Sequence, residues 1–398
     1  MKPGKWPIAV TISALLFLSG CYRHNLPLDV RFAPTHHIPM KAHVYVDMNG
    51  TFYPQGWNEF VRPGKAWKAK SLLGEADIRT KAGDTGFRDL VMSDQTRQLG
   101  ELASYLEGKQ RIFIFIHGVN NSQTEAEAAY RIMEQSIVFQ PGDALVEFHW
   151  DGYVADSGLK GLAAFRFWFL AVTNSQLAGS RGLRPILNLM HDQHAILISH
   201  SRGASVILSA LANPPYDPGF KKDKIRLGYL GDRPLEPPPL VERGNDISVA
   251  MLAPAIGEVD FRAKACEALT DVKNAKPCTV WRKFSRQLKS IRYTVNPCDS
   301  VLNKFVGLGA SLGPTDLGLD AKVGDEVEDH YPRMFSYPLV KPHGHKFIFY
   351  AADPEFRTML GAAGVTTRLP NSLPASEVRC KASTAPKASA GTSAGVKG

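Results

Sequence analysis

The segment from Ala195 to Gly203, Ala-Ile-Leu-Ile-Ser-His-Ser-Arg-Gly, decides the fold of this chain. Its first four residues form an apolar run that predicts a buried strand, and residues 204–212 form an apolar run that predicts a helix. A strand that passes into a helix through so short a turn places Ser201 at the apex, flanked by the small residues Ser199 and Gly203. Ser201 is therefore a candidate nucleophile, and the N-cap of the helix is its alternative role.

Apolar strands alternate with helices along most of the chain. Near-continuous runs of Val, Ile and Leu, separated by helical stretches, are typical of strands that are buried on both faces. The predicted strands cover Ile112 to Ile116, Leu145 to Phe148, Ala195 to Ile198, Ile247 to Leu252 and Ile291 to Val295. The sequence therefore predicts an α/β fold, with a mostly parallel central sheet and helices on both of its faces.

Composition divides the chain into four parts. Residues 1–21 are a predicted lipoprotein signal peptide, and residues 22–94, rich in proline, glycine and isolated aromatics, are predicted to form an N-terminal extension that packs on the main domain. The main domain covers residues 95–372. Residues 373–398 consist mostly of Ala, Ser, Thr, Gly and Lys, which cannot build a core, so this tail is expected to be disordered.

The N-terminus has the features of an export signal. Lys2 and Lys5 precede an apolar segment of about eleven residues, which is too short to span a bilayer. The tetrad Leu-Ser-Gly-Cys at residues 18–21 resembles the lipobox of bacterial lipoproteins, in which the cysteine becomes the lipidated first residue of the mature chain. The resemblance implies a lipid anchor at Cys21 in the bacterial cell envelope. The periplasmic side of the outer membrane is the expected location, and the sequence does not identify which membrane holds the anchor. An ordinary secretory signal is the alternative.

Composition and charge also limit the classes of function that the chain can have. With 398 residues and 44% hydrophobic content, the chain can bury a large core. Its formal net charge of +9 falls to +7 when the two lysines of the signal peptide are removed. The sequence has no dense block of Lys and Arg interleaved with aromatics, so nucleic-acid binding is not expected.

Four cysteines besides Cys21 would enter an oxidising compartment with an exported chain: Cys266, Cys278, Cys298 and Cys380. Four cysteines allow three pairings. Cys266 and Cys278 bracket a short, lysine-rich segment and are the predicted disulfide pair. No C-x-x-C or paired His and Cys spacing indicates zinc, so neither a metal nor another cofactor is expected.

The loop after the predicted strand Ile112 to Ile116 is a candidate part of the oxyanion hole. The chain continues there as His-Gly-Val-Asn at residues 117–120, where the glycine lets the backbone approach a reacting carbonyl group. The backbone N–H groups of Val119 and Arg202 are the predicted oxyanion hole. Two nearby histidines are expected to be structural: His117, which would hold the loop, and His200, which would point away from the apex serine.

A nucleophilic serine needs an acid that orients its base. Asp299 lies just past the predicted strand Ile291 to Val295, where ligand-facing groups gather in open α/β sheets. Its alternative role is that of a turn or N-cap aspartate. Asp260, which follows the preceding strand, is the rival acid.

The base follows the acid in sequence if the chain order is Ser, Asp, His. Two histidines lie in a turn that leads into an apolar element at residues 347–351. His345 is the preferred base, because it lies after a glycine and directly before that element. His343 is the reserve, and His330 is a third candidate within an acidic segment.

Together these residues resemble the α/β-hydrolase family, in particular its bacterial members with esterase-like activity. The resemblance covers roughly residues 95–370 and rests on four features, namely His117-Gly118, the turn at 199–203, Asp299 and His345. It implies an eight-stranded, mostly parallel sheet and a catalytic triad of Ser201, Asp299 and His345. It also implies an acyl-enzyme intermediate that forms without a metal.

The expected activity is hydrolysis of an ester or related acyl bond in a small-molecule or lipid substrate. Thioesterases, peptidases and acyltransferases can use the same triad. The chain departs from the family pattern at Ser199, which replaces the usual glycine, and in lacking a longer glycine run after His117. A non-catalytic envelope protein, using the fold as a binding or assembly scaffold, is the alternative, because fold does not fix function.

Overall fold

The computed structural model describes residues 22–24, 27, 30, 41–60, 71–155, 171–172, 174–212, 238–257, 260–263, 280–303, 315–339 and 341–371. The predicted signal peptide with Cys21, the predicted pair Cys266 and Cys278, and the predicted tail at 373–398 lie outside these residues. Within the described ranges, no helix has both the length and the apolar character needed to cross a membrane.

Seven parallel strands form one central sheet. The strands of the described residues, numbered in chain order, are β1 (Tyr22–Arg23), β2 (Lys41–Val46), β3 (Arg111–Ile116), β4 (Asp143–Trp150), β5 (Val154–Ala155), β6 (His194–His200), β7 (Asp246–Leu252), β8 (Arg262–Ala263), β9 (Val280–Trp281), β10 (Leu288–Val295) and β11 (Met334–Pro338). The order across the central sheet is β11, β10, β7, β6, β3, β4, β2, and every adjacent pair is parallel. The predicted parallel sheet is thereby confirmed, with seven strands in the described residues where eight were expected.

Helices connect most of these strands. In the described ranges they are α1 (Trp57–Phe60), α2 (Leu72–Lys81), α3 (Gly86–Leu106), α4 (Gln123–Ser136), a π-helix (Ala178–Leu183), α5 (Arg184–Leu187), α6 (Gly203–Leu211), α7 (Ala321–His330), α8 (Phe347–Ala352) and α9 (Pro354–Ala362). α4 begins at a capping box, in which Ser122 and Glu125 each accept a hydrogen bond from the other's backbone N–H. This cap fixes the residue at which the loop after β3 ends.

Alternate residues of the strands face two separate cores. In β3, Ile112 and Ile114 lie in one core with side chains of α3 and α6, whereas Phe113 and Phe115 lie in the other core with side chains of α4, α8 and α9. All four of these residues are fully buried. A strand that is covered on both faces needs an apolar residue at every position, which explains the unbroken apolar run of β3.

One edge of the sheet is built by the segment that was predicted to be an N-terminal extension. β2 pairs with β4 along its whole length, from Lys41 opposite Leu145 to Val46 opposite Trp150. α3 begins at Gly86, before the predicted boundary at residue 95, and packs in the same core as β2. Backbone hydrogen bonds thus make β2 part of the main sheet.

The strand order reverses its direction in the middle of the sheet. From β3 the chain builds toward one edge through β4, then returns to place β6 on the other side of β3, and continues through β7, β10 and β11 to the opposite edge. In open α/β sheets, ligands bind beyond the carboxyl ends of the strands at such a reversal. The crevice between the ends of β3 and β6 is therefore the position that the fold favours for a site.

α6 packs closely against the π-helix, and a glycine makes this contact possible. A Cβ added at Gly179 would lie 2.1 Å from the Val206 carbonyl O. The end of α6 is also held by the buried guanidinium of Arg184, which donates to the carbonyl oxygens of Ser209, Ala210 and Ala212 there. These bonds satisfy acceptors that a helix C-terminus leaves open, and they fix α6 relative to the sheet.

Gly179→Ala is expected to lower the free energy of unfolding by about 2 kcal/mol, because the added Cβ would overlap the Val206 carbonyl O and force α6 to shift. Gly100→Ala in α3 is the matched control, since nothing lies within 4 Å of the Cβ added there. Alanine should stabilise that helix by about 0.5–1 kcal/mol. Urea denaturation measures both changes, and equal stabilities of the two variants would contradict the packing constraint.

Candidate active site

Ser201 lies between β6 and α6 in a left-handed backbone conformation, with a φ of 52°. A non-glycine residue in this conformation costs roughly 1–2 kcal/mol, and it persists where the surrounding structure enforces it. Here the Ser201 N–H donates to the Leu252 carbonyl O at 2.9 Å, and the Ser201 carbonyl O accepts from the Ala255 N–H at 3.1 Å. The end of β7 and the segment after it thus hold the serine at the apex of the turn.

Two glycines allow this turn to approach the loop after β3. A Cβ added at Gly203 would lie 2.7 Å from the His117 carbonyl O, and one added at Gly118 would lie 2.7 Å from Ser201 Cβ. A larger residue at either position would push the loop and the turn apart. The predicted oxyanion donors lie directly beside the contact between Gly118 and Ser201. Val119 follows Gly118 in the sequence, and Arg202 follows Ser201.

The structure brings Ser201, His345 and Asp299 together in one hydrogen-bonded chain. The Ser201 hydroxyl lies 3.0 Å from His345 Nε2, and His345 Nδ1 lies 2.7 Å from Asp299 Oδ2. When Nδ1–H donates to the carboxylate, Nε2 is left free to accept the serine proton. The three side chains follow β6, β11 and β10 respectively, so they meet because the carboxyl ends of parallel strands share one edge of the sheet.

Asp299 is fully buried, and its two oxygens have different partners. Oδ1 accepts from the backbone N–H groups of Val301 and Leu302, whereas Oδ2 accepts from His345 and from the Tyr350 hydroxyl. Burial raises the pKa of the Asp299 carboxyl, but the charge of His345 and these hydrogen bonds outweigh burial and bring the pKa below its ordinary value. Asp299 is therefore ionised at neutral pH, and it organises a turn while it orients the imidazole.

The other two candidate bases have different partners. His343 is buried, and its Nε2 lies 3.3 Å from an oxygen of Asp353. His330 is exposed and stacks on a tryptophan ring, with 4.1 Å between the ring centroids. Of the three histidines, His345 is the one whose ring is within hydrogen-bond distance of the apex serine.

Asp260, the rival acid, lies beside the turn and not beside the base. Its Oδ2 is 3.9 Å from Nη1 of Arg202 and accepts from the Gly257 N–H at 3.0 Å. Arg202 is itself buried, and burial lowers the pKa of its guanidinium while the Asp260 carboxylate opposes that change. The two acids therefore have separate tasks, since Asp260 compensates a buried arginine and Asp299 orients the imidazole.

His117 holds the loop after β3. Its Nδ1–H donates to the Gly118 carbonyl O at 2.8 Å, and its Nε2 accepts from the Trp150 backbone N–H at 3.1 Å. The His117 carbonyl O accepts in turn from the Trp150 indole N–H at 2.7 Å. Burial, with His149 close by, lowers the pKa of His117 to about 3. A neutral ring with both nitrogens engaged serves the loop and is not available as a base.

His200 supports the segment that carries the base. Its Nε2–H donates to the His345 backbone carbonyl O at 2.9 Å, and its ring stacks on Phe347 with 4.6 Å between the centroids. Burial, together with the neighbouring His345, lowers the pKa of His200 well below its ordinary value, so the ring is neutral. The sequence predicts a structural role for His200 but not this contact, which joins residues 145 positions apart.

Two buried polar residues that sequence reasoning did not single out complete the site. The Tyr350 hydroxyl donates to Asp299 and accepts from the Asn296 side-chain amide, each at 2.8 Å. The same amide donates to the His343 carbonyl O at 2.8 Å, which ties the end of β10 to the loop of the base. A polar residue directly after a strand was the only signal for Asn296, and nothing in the sequence names its partners.

Tyr350→Phe is expected to slow the reaction of Ser201 with a fluorophosphonate probe about tenfold, because a hydrogen bond to a charged group contributes about 1.5 kcal/mol. Tyr105→Phe is the matched control, since it removes a buried tyrosine hydroxyl that bonds to the Leu145 backbone in the other core. This control should keep the wild-type labelling rate. Equal rates for the two variants would show that the Tyr350 hydroxyl does not support the acid.

Comparison with known proteins adds only weak structural similarity. No protein-family model and no curated protein matches the chain. Among solved structures, the crystal structure of an uncharacterized protein from Pseudomonas aeruginosa is similar at 12% sequence identity with a TM-score of 0.21, over 51% of this chain and 37% of that chain. A similarity of this size carries no conclusion about activity, so the chemistry of the site follows from its own residues.

Proposed function

We propose that the protein is a serine hydrolase that cleaves an ester or related acyl bond through an acyl-enzyme intermediate. The observation that carries this proposal is the hydrogen-bonded chain from Ser201 Oγ through His345 to Asp299, with distances of 3.0 and 2.7 Å. A nucleophile, a base and an orienting acid act as a unit at such distances. The backbone of Ser201 gives further support, because strained conformations cluster at functional sites.

In the proposed reaction, Ser201 Oγ attacks the acyl carbon while His345 Nε2 takes the hydroxyl proton. His345 then gives this proton to the leaving oxygen as its bond to the acyl carbon breaks. A water molecule attacks the acyl-enzyme by the same route, with His345 taking its proton and returning it to Ser201. Asp299 stabilises the imidazolium in each step, and its burial strengthens the interaction because a buried charge pair is weakly screened.

The backbone N–H groups of Val119 and Arg202 are the proposed oxyanion hole. Their support is the contact between the loop after β3 and the serine turn, where a Cβ at Gly118 would overlap Ser201 Cβ. The N-terminus of α6 begins at the same turn, and its partial positive charge favours a developing anion. A donor of this kind contributes about 10²–10³ in rate.

The α/β-hydrolase fold is the finer description that we propose for this α/β architecture. Its support is the order of the functional elements around the sheet. The nucleophile turn follows the central strand β6, the oxyanion loop follows the neighbouring β3, and the acid and the base follow β10 and β11. This order is the one that the resemblance implies for a triad in the sequence Ser, Asp, His.

The proposed location is the periplasmic side of the outer membrane, with the mature chain held by a lipid at Cys21. The support beyond the signal sequence is that Cys298 is disulfide-bonded. Disulfides persist in the bacterial periplasm and are rare in the cytosol.

The proposed substrate is an acyl ester of a small molecule or of a lipid. The lipid anchor favours it, because a tethered enzyme meets substrates that lie at the same membrane surface. Thioester hydrolysis, peptide hydrolysis and acyl transfer use the same catalytic groups, so parallel assays with an ester, a thioester and a peptide substrate separate these activities. The substrate with the highest kcat/KM identifies the acyl class.

Ser201→Ala in purified protein is expected to abolish labelling by a fluorophosphonate probe and to lower kcat for a short p-nitrophenyl ester by several powers of ten, because the bond-forming atom is lost. Ser205→Ala is the matched control. Ser205 is buried in α6, one turn further on, and bonds to the Ser175 hydroxyl at 3.1 Å. This variant should keep both the labelling and the turnover.

Two results would contradict the proposed activity. The first is turnover or labelling that persists in Ser201→Ala. The second is folded wild-type protein that neither reacts with the probe nor turns over any of the three substrate classes, which would favour the scaffold role instead.

Cys21→Ser is expected to move the protein from the membrane fraction to the soluble periplasmic fraction, or to leave its signal peptide uncleaved, because the lipidated thiol is lost. The measurement is fractionation of cells combined with metabolic labelling by a radioactive fatty acid. Cys298→Ser is the matched control and should retain the label. Incorporation of label into Cys21→Ser would exclude the proposed anchor.

A further inference from the structure

Three metal-ligating side chains meet on one face of the sheet edge. His43 on β2 is paired in register with Glu147 on β4, and His149 lies two residues further along β4. Residues i and i+2 of a strand share one face of a sheet, so the three side chains project to the same side. One donor atom from each lies within 4.8 Å of the other two.

One ring nitrogen from each histidine faces the same carboxylate oxygen of Glu147. Glu147 Oε2 lies 3.1 Å from His43 Nδ1 and 3.8 Å from His149 Nε2. Both contacts are within ion-pair distance, and in the described part of the chain the geometry does not complete a hydrogen bond at His43 Nδ1 or at either ring nitrogen of His149. The His149 side chain is only 4% exposed. Buried polar groups in native proteins are nearly always bonded, so an imidazole in this state calls for a ligand.

We propose that His43, Glu147 and His149 bind a zinc ion. Two imidazole nitrogens and one carboxylate oxygen form a donor set that zinc takes, with water at the fourth position of its tetrahedron. His43 is 23% exposed, which opens a route for the ion from solvent. A cavity of about 10 Å³ borders His149 and Tyr45, which is room for about one water molecule.

The charged groups around the three proposed ligands leave Glu147 Oε2 free to bind a cation. Lys41 Nζ lies 3.5 Å from the other carboxylate oxygen of Glu147, Oε1, and also pairs with Glu134. Its positive charge is therefore largely balanced by Glu134, and Oε2 remains for a cation. Tyr45 stacks on the His149 ring at 4.7 Å between centroids, which fixes the orientation of that ligand.

The position of this zinc site gives it a structural role. It would join the edge strand β2 to β4 by metal–ligand bonds, behind the loop that His117 holds, since the rings of His117 and His149 are 5.7 Å apart. None of its three ligands contacts Ser201, His345 or Asp299. The proposal therefore does not rest on the proposed activity, and Ser201→Ala should bind zinc as the wild type does.

The test is titration of chelator-treated, purified protein with zinc chloride in a calorimeter. The wild type should bind zinc at a site with a Kd of about 1 μM or tighter. His43→Gln should weaken that binding about a hundredfold, because loss of even an outer-shell partner weakens metal binding about 10- to 100-fold. His194→Gln is the matched control, being another half-buried strand histidine of the same sheet, and it should keep the wild-type Kd.

Two further measurements keep the test decisive if one variant folds poorly. Zinc at a hundred times the wild-type Kd should raise the Tm of the wild type by about 5 °C and that of His43→Gln by less than about 1 °C. Glu147→Gln, which preserves side-chain shape, should lose the visible absorption of tetrahedral Co²⁺ that the wild type shows. Absence of binding in the wild type, or equal Kd values in the wild type, His43→Gln and Glu147→Gln, would overturn the proposal.

Discussion

The left-handed backbone at Ser201 is the constraint on which the rest of the structure depends. A serine does not hold φ near 52° without help, and the help comes from hydrogen bonds to Leu252 and from Ala255. These partners lie at and beyond the end of β7, so the turn exists only if β6 and β7 pair in the register that places His200 opposite Leu252. The parallel ladder thus sets the direction in which the serine hydroxyl points.

The same constraint explains the residues around the turn. A strand and a helix joined through one strained residue must come close to the neighbouring loop, and only glycine fits at positions 118 and 203. That proximity buries polar backbone, which is satisfied by two hydrogen bonds between His117 and Trp150 and by a third from the His117 ring to the Gly118 carbonyl O. The same side chains therefore do two things. They form hydrogen bonds to backbone groups that the close packing buries, and they hold the loop after β3 in place beside the site.

Sequence reasoning reached the parts of the structure that have local signals. The unbroken apolar run of β3 indicates a strand buried on both faces, and the position of Asp299 just after such a strand indicates the functional edge. The position of β2 in the sheet could not be predicted in this way. It pairs with residues about a hundred positions away in the sequence, and it lies in a proline-rich segment. Tyr350 was missed for a related reason, since a tyrosine in an apolar helix looks like core until its partner is known.

Burial decides which imidazole at the turn can act as a base. The His117 ring bonds to a carbonyl oxygen and an N–H group, the His200 ring bonds to a carbonyl oxygen, and burial lowers the pKa of each ring so that it stays neutral. His345 differs from both because a buried, ionised carboxylate accepts its Nδ1–H at 2.7 Å. An imidazolium is tolerated in a low-dielectric site only where such a partner is fixed in advance. In the proposed reaction, the position of a single carboxylate after β10 thus directs proton transfer from Ser201 to one ring among three neighbouring histidines.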